Sequence, residues 1–413
     1  MTVTPSSVRQ FDVIIVGGSF AGLAVTRGLI QALGRDLRIA VIDRVRGADV
    51  ADARAFAVWA GAKAVLEGLG VWDAIAPDAQ VMTSIEISDS ALSDGIRPTR
   101  LTYDATTPDG RPAAFMVPAR ALSSALYNSV KDEPSVSWIV PAEAESLTLG
   151  EHVAEIKLRD GETICAALAI AADGRHSKLR NAAGIKTVER AYGQTGIVAT
   201  VAFSEPHNGV AIQHFLPGGP FAILPLKDNR ACITWSADKD EARGVMALDD
   251  SGFLAELDLR IGGRFGTISL AGPRQSWPLG IVMPRQLIAH RFVLIGDAAH
   301  GVHPIAGQGV NLALRDAAAL VEILADAARL GLDLGAGVHL ERYQRWRRFD
   351  SLMSASVYDG LNRLFGADNS VLRAGRGAAL GVLDRIGSAK NLIVAEAAGV
   401  TGELPKLARG CPV

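Results

Sequence analysis

The chain has 413 residues, of which 49% are hydrophobic and 21% charged, so it has enough apolar material for a large core and for two or three domains. Its 42 basic and 44 acidic residues give a formal net charge of −2, which argues against nucleic acid as a partner and favours small molecules. Cys165, Cys232 and Cys411 are too few and too widely spaced for a disulfide framework or a metal cluster, so no metal site is predicted.

The N-terminal residues have neither the basic start nor the apolar run of a signal peptide. No window reaches the roughly 18 apolar residues that a membrane span needs. Together with the unpatterned cysteines, these features predict a cytoplasmic protein. Peripheral contact with the inner face of a membrane stays open.

The chain opens with a strand, a helix and a second strand. FDVIIVGG is an apolar run ending in glycine, Phe20 to Leu33 has helical spacing, and LRIAVIDR is another apolar run. This pattern predicts the first βαβ unit of a doubly wound sheet. Further helices are predicted over residues 54–69 and 120–130, and a small antiparallel excursion over residues 136–172.

Short apolar runs separated by Gly, Pro, Asn and Asp turns fill residues 195–280 and predict a second, mostly antiparallel sheet. FVLIGD, after Arg291, restores the first pattern, and the chain from Gly309 onward has helical character. The predicted fold is therefore α/β with an interrupted first domain. The first, Rossmann-like domain is predicted to comprise residues 1–80, 100–190 and 285–330. The inserted sheet domain comprises residues 80–100 and 191–284. The helical C-terminal region comprises residues 331–413.

The turn after the first strand has the pattern of a dinucleotide site. Gly17 ends the strand, Gly22 lies at the start of the helix, and Asp43 closes the second strand. In such a site the helix amides bind the pyrophosphate and the carboxylate binds ribose hydroxyls. Ser19 replaces the middle glycine of GxGxxG, and the preceding Gly18 makes this replacement tolerable.

The segment FVLIGDAAHGVHPIAGQGVNLALRDAAAL is a second and more specific pattern. A strand ends at Gly296 and Asp297, whose carboxylate can accept hydrogen bonds from sugar hydroxyls of a cofactor. A polar loop then leads to the start of a long helix, formed by Gly307, Gln308, Gly309, Val310 and Asn311. The glycines let the loop approach a flat ring, and the first helix amides direct positive charge at the N1–C2=O edge of a flavin.

These motifs resemble those of the class A flavoprotein aromatic hydroxylases, the group that includes para-hydroxybenzoate hydroxylase. AADGRHSKLR, at residues 171–180, resembles the DG motif of the group, with Asp173 and Gly174 near the FAD pyrophosphate. The resemblance implies an FAD-binding domain and a substrate-binding sheet. It also implies FAD as cofactor, NAD(P)H or another reductant as electron donor, and O2 as co-substrate for ring hydroxylation through a flavin C4a-hydroperoxide.

Within this class the chain is most similar to the ubiquinone-biosynthesis monooxygenases, through RAFAV, GPFAILPL and AEAAGVTGELPKLARG among other segments. This resemblance implies a polyprenyl-phenol substrate and leaves open a membrane surface and a quinone-biosynthesis complex as partners. It implies that Arg54 and Arg120 contact the cofactor, with a surface salt bridge as the alternative for each. For Arg44, a surface arginine is favoured over a 2′-phosphate pocket.

Candidate residues for the reaction itself are less specific, and no general base is assigned. Pro304 is expected in the wall beside the flavin or as a residue that stiffens the loop. His300 and His303 could tune the flavin or substrate, or be hydrogen-bonded loop histidines. The apolar runs AIQHF and FAILPL favour a hydrophobic acceptor over a free benzoate, which would need an arginine. The candidate substrate contacts are His214, Phe215, Leu224 and Tyr192.

The C-terminal part leaves several alternatives open. Arg342, Arg345, Arg347 and Arg348 share one predicted helix and are expected to form a solvated face, with lipid contact as the alternative. Residues 371–399 mix apolar and basic residues, as in a membrane-contact surface or in helices packed on the first domain. Two other functions remain: another FAD oxidoreductase of this fold, such as an isoprenoid reductase or soluble-phenol hydroxylase, and a non-catalytic FAD-binding component of a complex.

Overall fold

The protein is described from a computed structural model. The structure describes residues 9–45, 52–92, 97–216, 218–301, 307–348 and 384–413, together with residues 94, 360, 376 and 381. His303 and Pro304 lie outside the described residues. Strands and helices are numbered in chain order.

The first sheet is built around adjacent parallel strands. Its strands are β1 (Arg9–Val16), β2 (Ile39–Ile42), β8 (Val136–Ile139), β9 (Ala144–Leu149), β10 (Ala154–Leu158), β11 (Thr163–Ala171), β18 (Ile288–Ala289) and β19 (Phe292–Leu294). The parallel part has the order β19, β11, β1, β2, β8, and β9 and β10 form the predicted antiparallel excursion beside β11. Because β19 joins strands from the beginning of the chain, this domain is discontinuous, as predicted.

Helices cover the first sheet, support the second and form the C-terminal region. They are α1 (Phe20–Leu33), α2 (Ala60–Gly68), α3 (Trp72–Ile75), α4 (Ala119–Asn128), α5 (Lys178–Ala182), α6 (Lys239–Ala247), α7 (Asp250–Ile261), α8 (Gly309–Arg329), α9 (residues 337–348) and α10 (Gly387–Ala398). α1 has the predicted bounds. It approaches α8 so closely that a Cβ at Gly28 would lie 2.7 Å from Cγ2 of Val321. The last four residues of β1 are buried on both faces, which explains its apolar run.

The second sheet is the predicted insertion. Its strands are β5 (Ser84–Asp89), β6 (Leu101–Asp104), β12 (Thr187–Phe203), β13 (Val210–Leu216), β14 (Gly219–Leu226), β15 (Arg230–Asp238), β16 (Ile268–Leu270) and β17 (Gln275–Pro284). All their pairings are antiparallel except that of β13 with β5. These sheets and helices confirm the predicted fold class. The domain limits stay a proposal, and β6 begins one residue beyond the limit of 100.

A small third sheet replaces part of a predicted helix. It contains β3 (Ala55–Trp59), β4 (Gln80–Val81) and β7 (Ala114–Pro118), in the antiparallel order β3, β7, β4. The helix predicted over residues 54–69 begins only at Ala60, so this prediction is wrong for its first residues. All of β3 pairs with β7, and such tertiary pairing outweighs the local helix propensity of the alanines.

Candidate functional site

Four adjacent strands of the first sheet end at one edge, and each is followed by a motif residue. Gly17 follows β1, Asp43 follows β2, Asp173 lies two residues after β11, and Gly296 lies two residues after β19. Parallel strands that are neighbours bring the residues after their carboxyl ends into one row. Ligands of open α/β sheets bind at this edge. The fold therefore gathers the predicted cofactor motifs in one groove.

The turn between β1 and α1 requires glycine at two positions. Gly17 has φ +113°, and a Cβ there would lie 2.1 Å from the carbonyl oxygen of Ala172. A Cβ at Gly22 would lie 2.0 Å from the carbonyl oxygen of Gly17. Ser19 is exposed and its hydroxyl does not cap α1, whose first backbone hydrogen bond runs from Leu23 N to Ser19 O at 2.9 Å. The preceding amides thus lack an intrahelical acceptor and fit an anion such as pyrophosphate.

Asp43 binds the backbone of the same turn. Its Oδ2 accepts from the amide of Gly18 at 2.5 Å, and its Oδ1 accepts from the amide of Val45 at 3.2 Å. An ionised carboxylate offers about four lone-pair sites, so capacity remains for ribose hydroxyls. Arg44 is exposed, which fits the interpretation as a surface arginine.

Asp297 is an exposed carboxylate between two buried neighbours, Gly296 and Ala298. Burial lowers the pKa of Arg175, and the charge of Asp297 opposes this effect. Asp297 also acts on Arg54, so both guanidinium groups lie within electrostatic reach of the carboxylate. The predictions did not assign a separate role to Arg175, because its proximity to Asp297 depends on the tertiary fold.

The segment after β11 carries an unused acceptor. Oδ2 of Asp173 accepts from the amide of Leu179 at 3.4 Å, whereas its buried Oδ1 has no hydrogen-bond partner among the described residues. Burial raises the pKa of Asp173. A sugar hydroxyl or an ordered water would satisfy this oxygen. Gly174 has φ +85°, and the buried Arg180 ties this segment to the next motif by donating to the carbonyl of Ala298 at 3.0 Å.

The start of α8 combines backbone attachment with free helix amides. The side chain of Asn311 accepts from Trp59 N at 2.9 Å and donates to the carbonyl of Ala57 at 2.8 Å, which attaches α8 to β3. Gly307 has φ +60°. The first helical hydrogen bond runs from Leu312 N to the carbonyl of the N-cap, residue 308, at 3.0 Å, so earlier amides lack an intrahelical acceptor.

Two further residues complete this helix start. Val310 is buried, and Gln308 donates to the carbonyl of Ala397 in α10 at 3.3 Å. A Cβ at Gly309 would lie 3.9 Å from Oδ1 of Asp297, so the helix start faces the same groove. The groove thus contains free backbone amides at two helix starts and several carboxylates with unused acceptor capacity. These groups fit the pyrophosphate and the hydroxyl groups of FAD.

The two arginines that the resemblance assigned to the cofactor differ in their surroundings. Arg54 is paired with Asp52, with 2.6 Å between Nη2 and Oδ2, and its guanidinium carbon lies 5.6 Å from the ring centroid of Trp277. Arg120 is exposed at the start of α4 and makes no hydrogen bond or ion pair within the described parts of the chain. A salt bridge, the alternative for both, is thus present at Arg54. The cofactor roles remain predictions.

His300 lies behind the groove, not in it. It is fully buried, and its Nε2 lies 2.5 Å from Oδ2 of Asp316. This placement favours the interpretation as a hydrogen-bonded loop histidine over a catalytic role. Asp316 stood in the quoted motif without an assigned role, because nothing in the sequence shows that it meets His300.

The candidate substrate residues divide between the two faces of the second sheet. Successive strand residues face opposite sides, so His214 and Phe215 cannot line the same face. The side of Phe215 and Leu224 is the one on which Ala211 and Leu226 pack with β3. His214 lies on the opposite side with Ser88, in a cavity of about 370 Å³ near the end of α7. Its predicted contact with a substrate at the flavin is therefore not supported.

Two more residues border the groove side of the second sheet. Tyr192 is partly buried where the pairing of β12 with β17 shifts register, and the guanidinium carbon of Arg190 lies 6.0 Å from its ring. Trp277, on β17, packs with the cluster that includes Leu224. Trp277 was not predicted, because a single tryptophan in an irregular strand gives no sequence signal.

Comparison with known proteins places this chain in a family. A family model described as "FAD binding domain" matches residues 10–347. The chain belongs to this family and is an FAD-dependent aromatic-ring monooxygenase. The family match shows FAD as its cofactor. NAD(P)H or another reductant as electron donor, and O2 as co-substrate, remain expectations from the resemblance.

Two curated relatives resemble almost the whole chain. The ubiquinone hydroxylase UbiL of Rhodospirillum rubrum is 37% identical over 421 residues, covering 100% of this chain and 95% of that protein. The 3-demethoxyubiquinol 3-hydroxylase of Escherichia coli is 30% identical over 397 residues, covering 94% and 98%. These matches confirm the predicted resemblance to the ubiquinone-biosynthesis monooxygenases.

Solved structures share the fold at low sequence identity. The p-nitrophenol 4-monooxygenase PnpA of Pseudomonas putida superimposes with a TM-score of 0.78 at 18% identity, covering 95% of this chain and 99% of that one. PqsL of P. aeruginosa, in complex with 2-aminobenzoylacetate, gives a TM-score of 0.75 at 22% identity, covering 90% and 99%.

Proposed function

We propose that this enzyme hydroxylates the aromatic ring of a polyprenyl-phenol intermediate in ubiquinone biosynthesis. The likeness to two enzymes named for ubiquinone substrates, over nearly their full lengths, is the observation that carries this proposal. The apolar face of the second sheet, with Phe215 and Leu224, supports a hydrophobic acceptor. A chain-bearing phenol gains free energy by leaving water for such a surface.

The described residues have distinct tasks in this reaction. Bound FAD supplies the hydride-accepting and oxygen-activating chemistry. Asp297, Asp43 and the free amides of α1 would hold the cofactor, and the positive end of α8 would favour negative charge on its ring. Phe215 and Leu224 exclude water and orient the acceptor ring. A general base is not assigned.

Deleting the gene in its host and analysing the quinone lipids by mass spectrometry tests this function. We expect a prenylated phenol one oxygen short to accumulate, and the wild-type gene to remove it. The Asp297→Ala gene should fail to do so, whereas Asp258→Asn, a change of an exposed carboxylate on α7, should succeed. Unchanged quinone levels in the deletion strain would refute the proposal and favour a different oxidoreductase or a non-catalytic component.

Membrane association is a further part of the proposal. Among the helices that the structure describes, none combines the length and apolarity of a membrane crossing. Ile386, Ile393 and Val400, which lie before, in and after α10, are nevertheless exposed at 45%, 40% and 38%. We infer that this surface, the α10 surface, contacts a bilayer from which a lipid-soluble substrate is taken. A quinone-biosynthesis complex is the alternative occupant.

A further inference from the structure

Behind the Gly296–Asp297 turn lies a buried cluster of charged side chains. Asp316 of α8 and His300 are fully buried, as is Arg347 of α9. The Asp316 carboxylate accepts from Nε2 of His300 at 2.5 Å and from Nε of Arg347 at 2.7 Å. It also accepts from the backbone amide of Gly296 at 3.0 Å. The Asp316 side chain thus binds Gly296 and His300, the two ends of the turn that contains Asp297.

The turn itself is closed by short-range hydrogen bonds. The amides of Ala299 and His300 both donate to the carbonyl of Gly296, at 2.8 and 2.9 Å. From the other side, Arg180 donates to the carbonyl of Ala298. Between these fixed neighbours, Asp297 is exposed to the groove. The contacts that hold the turn therefore determine the direction in which Asp297 faces.

The charge state of Asp316 suits this task. Burial by itself would raise its pKa, but the charges and hydrogen bonds of His300 and Arg347 outweigh burial and hold the pKa below its usual value. Asp316 is consequently ionised, and an ionised acceptor in apolar surroundings binds an amide strongly. An apolar contact between α8 and α9 could stabilise the fold equally well, yet it could not bind Gly296.

We propose that Asp316, held by Arg347, is a positioning residue of the flavin site. It acts through Gly296 and His300, sets the direction of Asp297 and couples the position of α9 to FAD binding. α9 is itself attached to the strand before the turn, because the Tyr343 hydroxyl donates to the carbonyl of Leu294 at 2.9 Å. The proposal rests on the FAD assignment and is independent of the substrate.

The test separates positioning from stability with the double variant Asp316→Leu/Arg347→Met. The double variant leaves no unpaired charge, but the Gly296 amide and Nε2 of His300 lose their acceptor, so the apo protein should unfold at a lower temperature. Its Kd for FAD, titrated by flavin fluorescence with full-length protein, should also rise about tenfold or more, corresponding to the loss of one charged hydrogen bond. An affinity within twofold of wild type would overturn the proposal.

A control and a second variant complete the design. Arg260, 4% exposed and paired with Glu241 and Glu256, lies at α7 on the second sheet. Arg260→Met should lower the unfolding temperature and leave FAD affinity unchanged. If the double variant does not fold, the single variant Asp316→Asn is titrated with FAD instead, and an affinity within twofold of wild type again overturns the proposal. Because no substrate is used, failure of this test is distinct from failure of the proposed function.

Discussion

Asp297 is the residue whose replacement most directly tests the cofactor site. It is exposed in the groove and attracts Arg54 and Arg175, so hydrogen bonds from FAD hydroxyls are expected to reach it. Hydrogen bonds to charged groups contribute about 1.5–3 kcal/mol, which predicts a roughly 10- to 100-fold higher Kd for FAD in Asp297→Ala. Titration of apo protein by flavin fluorescence measures this change. Asp258→Asn is the control, and retention of FAD by Asp297→Ala would contradict the site.

Comparing Gly17 with Gly34 separates the effect of backbone strain from that of a steric collision between an added Cβ and the neighbouring main chain. Gly17 and Gly34 both have positive φ, but a Cβ would meet the carbonyl oxygen of Ala172 at 2.1 Å in the first case and nothing within 4 Å in the second. Gly17→Ala should therefore lose FAD binding and more than about 2 kcal/mol of unfolding free energy. Gly34→Ala should lose about 1 kcal/mol and still bind FAD. Chemical denaturation and FAD titration check both, and equal behaviour of the two variants would contradict the close approach.

His214 predicts how stability depends on pH. Burial, followed by the charges of Arg97 and Arg264, lowers the pKa of His214 from 6.5 to about 4. Between pH 4 and 6.5, the unfolded chain therefore binds a proton at this histidine more readily than the folded chain does. This contribution to stability is complete above pH 6.5 and is lost as the pH falls toward 4, with a slope of at most about 1.4 kcal/mol per pH unit. His214→Asn should flatten the dependence, measured by denaturation at several pH values.

The matched control for this prediction is His152→Asn. His152 is 82% exposed, so its replacement should leave the slope unchanged. An equal slope in the wild type and in His214→Asn would show that His214 is not the group responsible.

Residues that follow strands were predictable, whereas side-chain partners were not. Gly17, Asp43 and Gly296 could be placed because a buried apolar run ending in glycine indicates both a strand and its last residue. The separate faces of His214 and Phe215 follow from strand alternation, but which face meets the flavin domain depends on the assembled sheet. Arg347 was expected in a solvated face and is buried, because its partner Asp316 lies on another helix.

At the scale of elements, the attachment of α8 to β3 through Asn311 is open to test. Asn311→Ala would leave the buried Trp59 amide and Ala57 carbonyl without partners, which costs about 1–3 kcal/mol for each group. The start of α8 should then shift, so we expect lower stability together with weaker FAD binding. Thermal unfolding and FAD titration measure the two effects.

Asn229 provides a control of similar chemistry away from the groove. Its side chain donates to the carbonyl of Phe203 at 2.7 Å and accepts from His207 N at 3.1 Å, within the second sheet. Asn229→Gly keeps its positive φ accessible, and should lower stability without weakening FAD binding. If Asn311→Ala bound FAD normally, the geometry of α8 would not depend on β3.

Helices and strands were predictable from the sequence where the local hydrophobic pattern agreed with the tertiary contacts. α1 has the predicted bounds because its helical spacing is flanked by two buried strands. β3 was predicted as helix because AFAVW contains alanines, and its pairing with β7 depends on residues more than fifty positions away. Local sequence does not contain that partner.

At the scale of the whole molecule, the C-terminal part contacts both preceding domains. Arg347 reaches the flavin turn through Asp316, whereas Arg376 forms a buried ion pair with Asp89 at the end of β5, at 2.9 Å. The main chain of Ala397 in α10 accepts from the start of α8. These contacts attach the C-terminal part both to the helix that begins at the cofactor groove and to the second sheet.

The α10 surface predicts that the protein sediments with lipid vesicles. Ile386 and Ile393 are exposed and Arg385 beside them is exposed as well, so apolar insertion and attraction to anionic headgroups act together. The variant Ile386→Asn/Ile393→Asn should reduce binding to phosphatidylethanolamine–phosphatidylglycerol vesicles about 100-fold or more, because burying each of the two isoleucines contributes about 1.5–3 kcal/mol. Leu330, 75% exposed after α8, is the control, and Leu330→Asn should bind like the wild type. Equal loss in both variants would indicate unspecific adhesion, and no binding by the wild type would favour a protein complex as the partner of this surface.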